Sequence, residues 1–157
     1  MQSPQKMNTI LFPGSFNPFT VGHRSLVERV LPLFDRVVIA IGVNSQKACE
    51  AQTRERLDAI RALYAAEPKV SVIAYSGLTV DACEAEGARW MLRGVRSVAD
   101  FEYERNLADI NRRISGIETL LLFTLPEYAA VSSSVVRELQ AYGRDVSEFL
   151  PEAPGKS

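Results

Sequence analysis

Short apolar runs alternate with segments of helical periodicity from Thr9 onward. Runs that are apolar throughout are typical of strands buried on both faces of a parallel sheet. The pattern predicts strands at about residues 9–12, 36–43, 70–75, 90–92 and 119–123. Because a helical segment follows each strand, the sequence predicts an α/β fold: a doubly wound, five-stranded, mainly parallel sheet with helices on both faces.

The first three helices are predicted from their apolar spacing and their start signals. The first spans about residues 22–33, the second begins near Thr53 as its N-cap, and the third covers about 79–86. The apolar stripe of the first helix consists of Leu26, Val27, Val30 and Leu31. Spacing of this kind lets a helix lie on a sheet with one face buried.

The last two helices are predicted from serine-containing starts. Ser97 and Asp100 have the spacing of a capping box, which indicates the beginning of a fourth helix. The apolar positions of this helix are Phe101, Leu107, Ile110 and Ile114. A fifth helix is predicted to start in the serine run 132–134 and to end at Gly143, followed by a short turn over 145–150.

Composition narrows the class of protein. A chain of 157 residues that is 46% hydrophobic predicts one compact domain over 7–157, with residues 1–6 as an N-terminal extension. The 18 Lys and Arg nearly cancel the 19 Asp and Glu, which argues against nucleic acid or an anionic membrane as partner. No apolar run resembles a signal sequence or a membrane span, so we expect a cytoplasmic protein. Cys49 and Cys83 lack the spacing of a metal site and are interpreted as free thiols.

The loop after the first predicted strand, PGSFNPFTVGH at 13–23, has the composition of an anion site. Glycine allows a ligand to approach the backbone closely, and the free N–H groups of a helix N-terminus favour negative charge. The loop is neither a Walker A motif nor the GxGxxG of dinucleotide-binding proteins. It therefore predicts a phosphate site of another kind.

His23, the single histidine of the chain, lies at the end of this loop. Helical spacing places it on the same face as Val27 and Val30, at the end nearest the strand tips. A lone histidine at a helix start is more often satisfied by backbone groups than used in catalysis. Because the surrounding loop is suited to an anion, we expect His23 to face the site.

Cationic residues follow two further strands. Lys47 lies beside the end of the second strand, although most loop lysines are simply solvated. Arg93 and Arg96 emerge from the fourth strand just before the fourth helix and could clamp a polyphosphate. The structural alternative for either arginine is an ion pair with Asp100 or Glu102.

Residues 128–138 provide a fourth unusual turn, in which three serines open a helix that carries Arg137. Hydroxyls and free N–H groups form an anion cradle, although serine is also an ordinary N-cap residue. In a doubly wound sheet, ligands bind beyond the carboxyl ends of the strands. The four donor-rich turns are therefore predicted to meet at one edge of the sheet.

These motifs resemble those of one enzyme family. Residues 20–23 match the T/HxGH motif of the nucleotidyltransferase superfamily, and 131–137 resemble its closing ISSSxxR motif. The segment RGVRSVADFEYE at 93–104, with Asn111, resembles the bacterial phosphopantetheine adenylyltransferases in particular. The similarity runs in matching order from about residue 8 to 151. In the motif that the family usually has as GTFDP, this chain has Ser15 and Asn17, so a hydroxyl is kept and a carboxylate is lost.

The resemblance implies transfer of AMP from ATP to 4'-phosphopantetheine, which gives dephospho-coenzyme A and pyrophosphate by in-line attack without a covalent enzyme intermediate. The implied catalytic residues are His23, Lys47 and Arg96. The implied ATP-binding residues are Ser15, Phe16, His23, Gly94, Val95, Arg96, Glu104, Tyr128, Ala129, Ala130, Val131, Ser132, Ser133 and Ser134. The implied phosphopantetheine-binding residues are Ser15, Lys47, Thr79 and Arg93.

The resemblance also implies a homohexamer and feedback inhibition by coenzyme A. Mg²⁺ is expected on the phosphates of ATP, and no protein side chain is assigned to it, because few acidic residues occur in the four turns. A phosphate monoester is mostly a dianion at neutral pH, so its attack requires no general base. The reaction needs two anions placed in line and donors aimed at the growing charge.

Three alternatives remain open from the sequence. The first is another adenylyl- or cytidylyltransferase of the same superfamily, acting on nicotinamide mononucleotide or glycerol phosphate. The second is a non-catalytic nucleotide sensor with the same fold, which loss of the histidine or of the cations would indicate, whereas all of them are present. The third is a purely structural domain, which explains the core but not the four turns.

Overall fold

The computed structural model describes residues 6–44 and 50–153. Its strands are β1 Thr9–Gly14, β2 Arg36–Gly42, β3 Val70–Tyr75, β4 Trp90–Val95 and β5 Glu118–Phe123. They form one sheet in the order β3-β2-β1-β4-β5, and every neighbouring pair is parallel. The predicted five-stranded parallel sheet is confirmed.

The helices of the described residues follow the strands as predicted. The α-helices are α1 Val21–Val30, α2 Glu50–Leu63, α3 Thr79–Glu86, α4 Val98–Ser115 and α5 Ser133–Ala141. Short 3-10 turns lie at Leu31–Leu33, Pro126–Tyr128 and Ser147–Phe149. Among these described helices, none combines the length and the apolar character that crossing a membrane requires.

Each face of the sheet is covered by its own apolar layer, since successive side chains of a strand point to opposite faces. One layer joins α1 and α2 to the sheet through Leu26, Val27, Val30, Ile60, Ile10, Val37, Ile39, Ile41 and Val72. The opposite layer joins α3 to the sheet through Val80, Cys83, Leu11, Val38, Ala40 and Met91. Helices on both faces are therefore confirmed, and Cys83 is a buried free thiol.

Several predicted boundaries are wrong. β4 continues to Val95 instead of ending at 92, because residues 93–95 pair with β5. This pairing joins residues that are far apart in the chain, so local patterns do not predict it. α2 has already begun at Glu50, so Thr53 lies inside the helix and is not its N-cap. The last predicted helix ends at Ala141, because the backbone turns at Gly143, where φ is 76°.

β1 and β4 diverge, although both are central strands. They pair only at Ile10 with Trp90 and at Leu11 with Met91, whereas β1 pairs with β2 along its whole length. From β1 the chain continues to β2 on one side, and from β4 it continues to β5 on the other, which makes this gap the topological switch point of the sheet. Ligands of doubly wound sheets bind in such a crevice, at the carboxyl ends of the strands.

The apolar residues of α4 do not form a buried face. The exposed fraction is 40% for Phe101, 39% for Leu107, 52% for Ile110 and 61% for Ile114. The buried residue of this helix is instead an acid, Glu104. Exposed apolar groups on one helix mark a surface that a single chain leaves uncovered.

Candidate active site

A cavity of about 380 Å³ opens where β1 and β4 diverge. Its walls are the β1–α1 loop (residues 12–23, from the end of β1 to the first turn of α1), the carboxyl end of β4, the first turns of α4 and the start of α5. The predicted site residues in its lining are Ser15, Phe16, His23, Arg93, Gly94, Arg96, Glu104, Val131, Ser132, Ser133 and Ser134. Turns that are far apart in the chain therefore meet in one cleft.

Other predicted residues lie elsewhere. Val95 is buried in the sheet, and residues 128–130 form a turn that does not line this cavity. Tyr128 lies next to Gly22, a lining residue, since a Cβ built on Gly22 would be 3.7 Å from the Cβ of Tyr128. Lys47 lies outside the described residues, so its contact with a substrate phosphate stays a prediction.

The β1–α1 loop surrounds the imidazole of His23 with three phenylalanine rings. The ring centroid of Phe16 is 5.0 Å from that of His23, and those of Phe19 and Phe12 are 5.4 Å and 6.1 Å away. Phe16 reaches this position with a backbone φ of 46°, which is uncommon for a bulky residue. Gly14 leaves the space for its ring, since a Cβ at that position would lie 2.9 Å from the ring atoms.

Hydrogen bonds fix the orientation of the imidazole. His23 is the third residue of α1 and completes a capping box with Thr20. The Thr20 N–H donates to His23 Nδ1 over 2.9 Å, and the Thr20 hydroxyl lies 3.2 Å from the same nitrogen. Because Nδ1 accepts this bond, the proton of the neutral ring is on Nε2, which remains as a donor.

The surroundings of His23 keep it uncharged. Burial, and then the positive charges of Arg96 and Arg93, lower the pKa of His23 from 6.5 to about 4. At neutral pH the imidazole is therefore a neutral donor with a fixed direction. Such a group can hydrogen-bond charge that develops on a phosphoryl oxygen without first reorganising.

The start of α5 lines the cleft and also fastens the β1–α1 loop. Ser132 is the N-cap, and its hydroxyl accepts a backbone N–H of the first turn over 3.2 Å. The Ser133 hydroxyl donates to the Pro18 carbonyl over 2.8 Å, and the Arg137 guanidinium donates to the Asn17 carbonyl. The serine run therefore acts as helix cap and as loop anchor, and it places the N-terminus of α5, which favours negative charge, at the border of the cleft.

Arg93 forms a shielded ion pair at the end of β4. Its Nε and Nη2 donate to the two carboxylate oxygens of Glu104 over 2.9 Å and 2.7 Å, and its Nη1 donates to the Pro13 carbonyl over 3.2 Å. The side chain of Glu104 is only 8% exposed, and that of Arg93 is 31% exposed. Burial is the largest single influence and would lower the pKa of Arg93, but the hydrogen bonds and the charge of Glu104, together with Tyr75 and Tyr103, raise it overall.

Asp100 was one of the two alternative partners predicted for the arginines, and it pairs with Arg96. Arg96 Nε lies 3.7 Å from the Asp100 carboxylate, and both side chains are more than two-fifths exposed, at 44% and 41%. For Arg93 the predicted partners were wrong, because its partner is Glu104. Asp100 and Glu104 are one turn apart on α4, so each arginine faces a successive turn of the helix.

A second cavity, of about 310 Å³, adjoins the first. The two share Pro13, Arg93 and Glu104 in their linings, so the ion pair lies on the boundary between them. The second cavity is further lined by Leu78, Thr79, Met91, Leu107, Asn111 and Ile114. The Thr79 hydroxyl lies 2.8 Å from the hydroxyl of Tyr75, so this predicted substrate residue is held in place.

Sequence reasoning missed Thr124, which lines the first cavity. It follows β5 directly, and its N–H donates to the Val95 carbonyl over 2.9 Å. The rule that applied to the other turns, that polar residues just after a parallel strand point to the site, also identifies this residue.

The described residues contain no group of three or more His, Cys, Asp or Glu side chains that could hold a metal ion. The carboxylates that line the first cavity, Asp100 and Glu104, are paired with arginines. The donor set of the cleft is therefore suited to an anion, and a metal ion could enter it only with ligands of its own, such as phosphate oxygens.

Comparisons with known proteins show which family the chain resembles. A cytidylyltransferase-like family model matches residues 11–139. The phosphopantetheine adenylyltransferase of Phocaeicola vulgatus is 51% identical over 93% of this chain and 97% of its own. That of Porphyromonas gingivalis is 54% identical over 94% and 96%. A solved structure from Vibrio parahaemolyticus, assigned as a nicotinate-nucleotide adenylyltransferase, superposes with a TM-score of 0.65 at 19% identity over 94% of this chain and 95% of that one, which shows the shared fold.

Proposed function

This chain belongs to the cytidylyltransferase-like family and, within it, to the phosphopantetheine adenylyltransferases, and on that premise we propose that it transfers AMP from ATP to 4'-phosphopantetheine, releasing pyrophosphate and dephospho-coenzyme A. The observation that carries the proposal is the pair of adjoining cavities that share Arg93. Two anionic substrates that must react with each other need two compartments and a cation between them.

ATP fits the first cavity. The N-termini of α1 and α5 both border it, and Arg96 adds a guanidinium, so the triphosphate has N–H, hydroxyl and cationic donors on three sides. The half-exposed pair of Arg96 with Asp100 leaves the guanidinium able to turn toward phosphate. Lys47 is proposed to complete the charge on the acceptor side.

Phosphopantetheine fits the second cavity. The lining mixes apolar side chains with Thr79 and Asn111, which matches an acceptor arm that alternates alkyl and amide groups. Arg93, on the boundary, is proposed to hold the phosphate of the acceptor next to the ATP cavity.

In the proposed reaction a phosphate oxygen of phosphopantetheine attacks the α-phosphorus of ATP. The bond from that oxygen to phosphorus forms as the bond to the β-phosphate oxygen breaks, and pyrophosphate leaves with the electron pair. The Nε2–H of neutral His23 donates to the α-phosphoryl oxygens as their charge grows, and Arg96 neutralises charge on the leaving pyrophosphate. No protein group forms a covalent bond.

We propose that Mg²⁺ enters as part of MgATP. The residues that line the cleft offer no free carboxylate cluster, so phosphate oxygens and water would be its ligands. When bound, the ion would neutralise charge on the β- and γ-phosphates.

Product analysis tests the assignment. The protein is incubated with MgATP and 4'-phosphopantetheine, and pyrophosphate release and dephospho-coenzyme A are measured, with His23→Ala as matched control. We expect pyrophosphate only when phosphopantetheine is present. Release with nicotinamide mononucleotide or glycerol phosphate instead would assign another member of the superfamily, and ATP binding without any release would favour a nucleotide sensor.

We also propose a homohexamer, because α4 exposes Phe101, Ile110 and Ile114 in the single chain. Light scattering on the purified protein should give the mass of six chains. Ile110→Glu should lower this mass, whereas Tyr142→Glu, which changes an exposed residue outside α4, should not. An unchanged mass in Ile110→Glu would exclude α4 from the interface.

Feedback inhibition by coenzyme A is a further part of the proposal, because coenzyme A contains both the pantetheine arm and an adenosine and could occupy the two adjoining cavities together. Inhibition should be competitive with phosphopantetheine, which initial-rate kinetics would test. A cytoplasmic location, where ATP is available, is also proposed and can be tested by cell fractionation.

A further inference from the structure

One side chain outside the cleft holds the backbone of the β1–α1 loop. The Nη1 of Arg56, on α2, donates to the carbonyl oxygen of Ser15 over 2.7 Å, a contact between residues 41 positions apart. Arg56 does not line either of the two adjoining cavities. The contact that links Arg56 to the cleft is this bond to the loop.

The bond acts on the peptide unit that determines where Phe16 lies. The Ser15 carbonyl and the Phe16 N–H belong to the same peptide plane, so fixing one fixes the other. Phe16 has a φ of 46°, a conformation that is unfavourable for a bulky residue and persists only where the surroundings enforce it. Arg56 supplies one such constraint on the N-terminal side of Phe16.

The orientation of the peptide between Ser15 and Phe16 determines where the Phe16 N–H points. The peptide is trans, so the Phe16 N–H points away from the carbonyl that Arg56 holds. Arg56 comes from α2, which lies on the β2 side of β1, whereas the cleft lies on the β4 side. The Phe16 N–H therefore points away from α2, and Phe16 lines the cleft with its ring beside His23.

The support for Arg56 is itself rigid. Ile60, one turn further along α2, is 2% exposed in the core, and Leu57 packs against the same cluster. Arg61 donates twice to the Val72 carbonyl of β3, over 3.2 Å and 2.9 Å, which ties the helix to the sheet edge. A guanidinium carried by such a helix can serve as a fixed point for a loop.

We propose that Arg56 is a positioning residue for the transfer reaction: it holds the Ser15 carbonyl toward α2, and so keeps the Phe16 N–H facing the substrates and the Phe16 ring against His23. The proposal rests on the proposed function and adds a residue that the sequence motifs do not contain. The loop is thereby held on both sides, by α2 through Arg56 and by α5 through Ser133.

The test compares Arg56→Ala, Arg56→Lys and Arg54→Ala. Arg54 is an exposed residue of the same helix, two positions away and so on another face. We expect Arg56→Ala to lower kcat about 10-fold with a change in the KM for ATP of less than about 2-fold, because misplaced donors weaken the transition state more than binding. Arg56→Lys, which keeps a donor, should recover most of the rate, and added ethylguanidinium should partly restore Arg56→Ala.

A second readout does not depend on activity. Since His23 is the only histidine, its ring protons can be followed by NMR as pH is varied. A loosened loop should admit water and raise the pKa of His23 from about 4 toward 6.5 in Arg56→Ala, but not in Arg54→Ala. If wild type releases no pyrophosphate with phosphopantetheine, the proposed function is overturned. The NMR titration still tests the role of Arg56 in that case, because it does not depend on activity.

Two outcomes overturn the role of Arg56. One is a kcat and a His23 titration in Arg56→Ala that both match wild type. The other is a loss of activity that follows the fraction of unfolded protein and is not recovered by lysine or ethylguanidinium, which would make Arg56 merely structural.

Discussion

The β1–α1 loop and the β4–α4 segment bring functional groups to the same cleft by different physical means. In the loop, His23 is dehydrated among phenylalanine rings and oriented by Thr20. In the β4–α4 segment, Arg93 and Arg96 are each paired with a carboxylate, and the two carboxylates lie on successive turns of α4. The first region presents a neutral donor with a fixed direction, and the second presents charges whose partners can be exchanged for phosphate.

This difference separates two tasks of the proposed enzyme. A donor fixed in direction stabilises a transition state, because its geometry does not have to be arranged during the reaction. Paired guanidinium groups attract anionic substrates and hold them near each other. Changes in the loop should therefore act mainly on kcat, and changes around the arginines mainly on substrate binding and on stability.

The largest effect is expected from His23→Ala. Loss of the Nε2–H should lower kcat by about 10² or more, since the group acts mainly on the transition state, while the affinity for ATP stays within about 2-fold. Steady-state kinetics and an ATP titration would measure both quantities. Unchanged turnover would contradict the assignment of His23 as the donor to the transition state.

Glu104→Gln tests whether the β4–α4 segment is stabilised by its ion pair. The change leaves Arg93 without its carboxylate in a largely shielded place and should lower the free energy of unfolding by about 2 kcal/mol. Urea denaturation would measure this loss. Asp109→Asn is the matched control, because its partners Arg112 and Arg113 are exposed and the expected loss is below about 0.5 kcal/mol. Equal losses in the two variants would contradict the distinction.

Two glycines test the loop without touching a charged group. Gly14→Ala should cost about 1–2 kcal/mol of stability, because its Cβ would lie 2.9 Å from the ring of Phe16. Gly22→Ala should not lower stability, since its Cβ would have no neighbour closer than 3.5 Å, but it should weaken ATP binding by narrowing the cleft. Thermal melts and an ATP titration would separate the two effects. If ATP binding were normal in Gly22→Ala, the ligand would not approach this backbone closely.

The smallest effect concerns pH. The pKa of His23 is about 4 in the folded chain and 6.5 in the unfolded one, so between these values the unfolded chain binds more protons. His23 should thus have little effect on the free energy of unfolding above pH 6.5. As pH falls from 6.5 toward 4, protonation of the unfolded chain should lower the free energy of unfolding. From pH 7 to pH 6, wild type should lose about 0.7 kcal/mol more than His23→Gln in urea denaturation. Parallel losses in the two proteins would mean that His23 is not dehydrated.

Local patterns predicted the main elements of both regions. The GSF and VGH runs indicated the loop, and the apolar strand segments indicated the parallel sheet, because both depend on residues close together in the chain. The pairing of Arg93 with Glu104 was not predicted, because it depends on where α4 crosses the end of β4. The exposed apolar residues of α4 were not predicted either, since helical spacing does not tell whether a face meets the core or another surface.

The sequence by itself determined the five strand–helix units, the polar turns at the strand ends and the motifs of the family. It could do so because backbone preference and hydrophobic periodicity act over a few residues. Only the tertiary structure decided that β1 and β4 separate after two paired positions, that two cavities meet at Arg93, and that rings and cations together keep His23 neutral. These features depend on distances between remote segments, and the packing of the whole chain sets those distances.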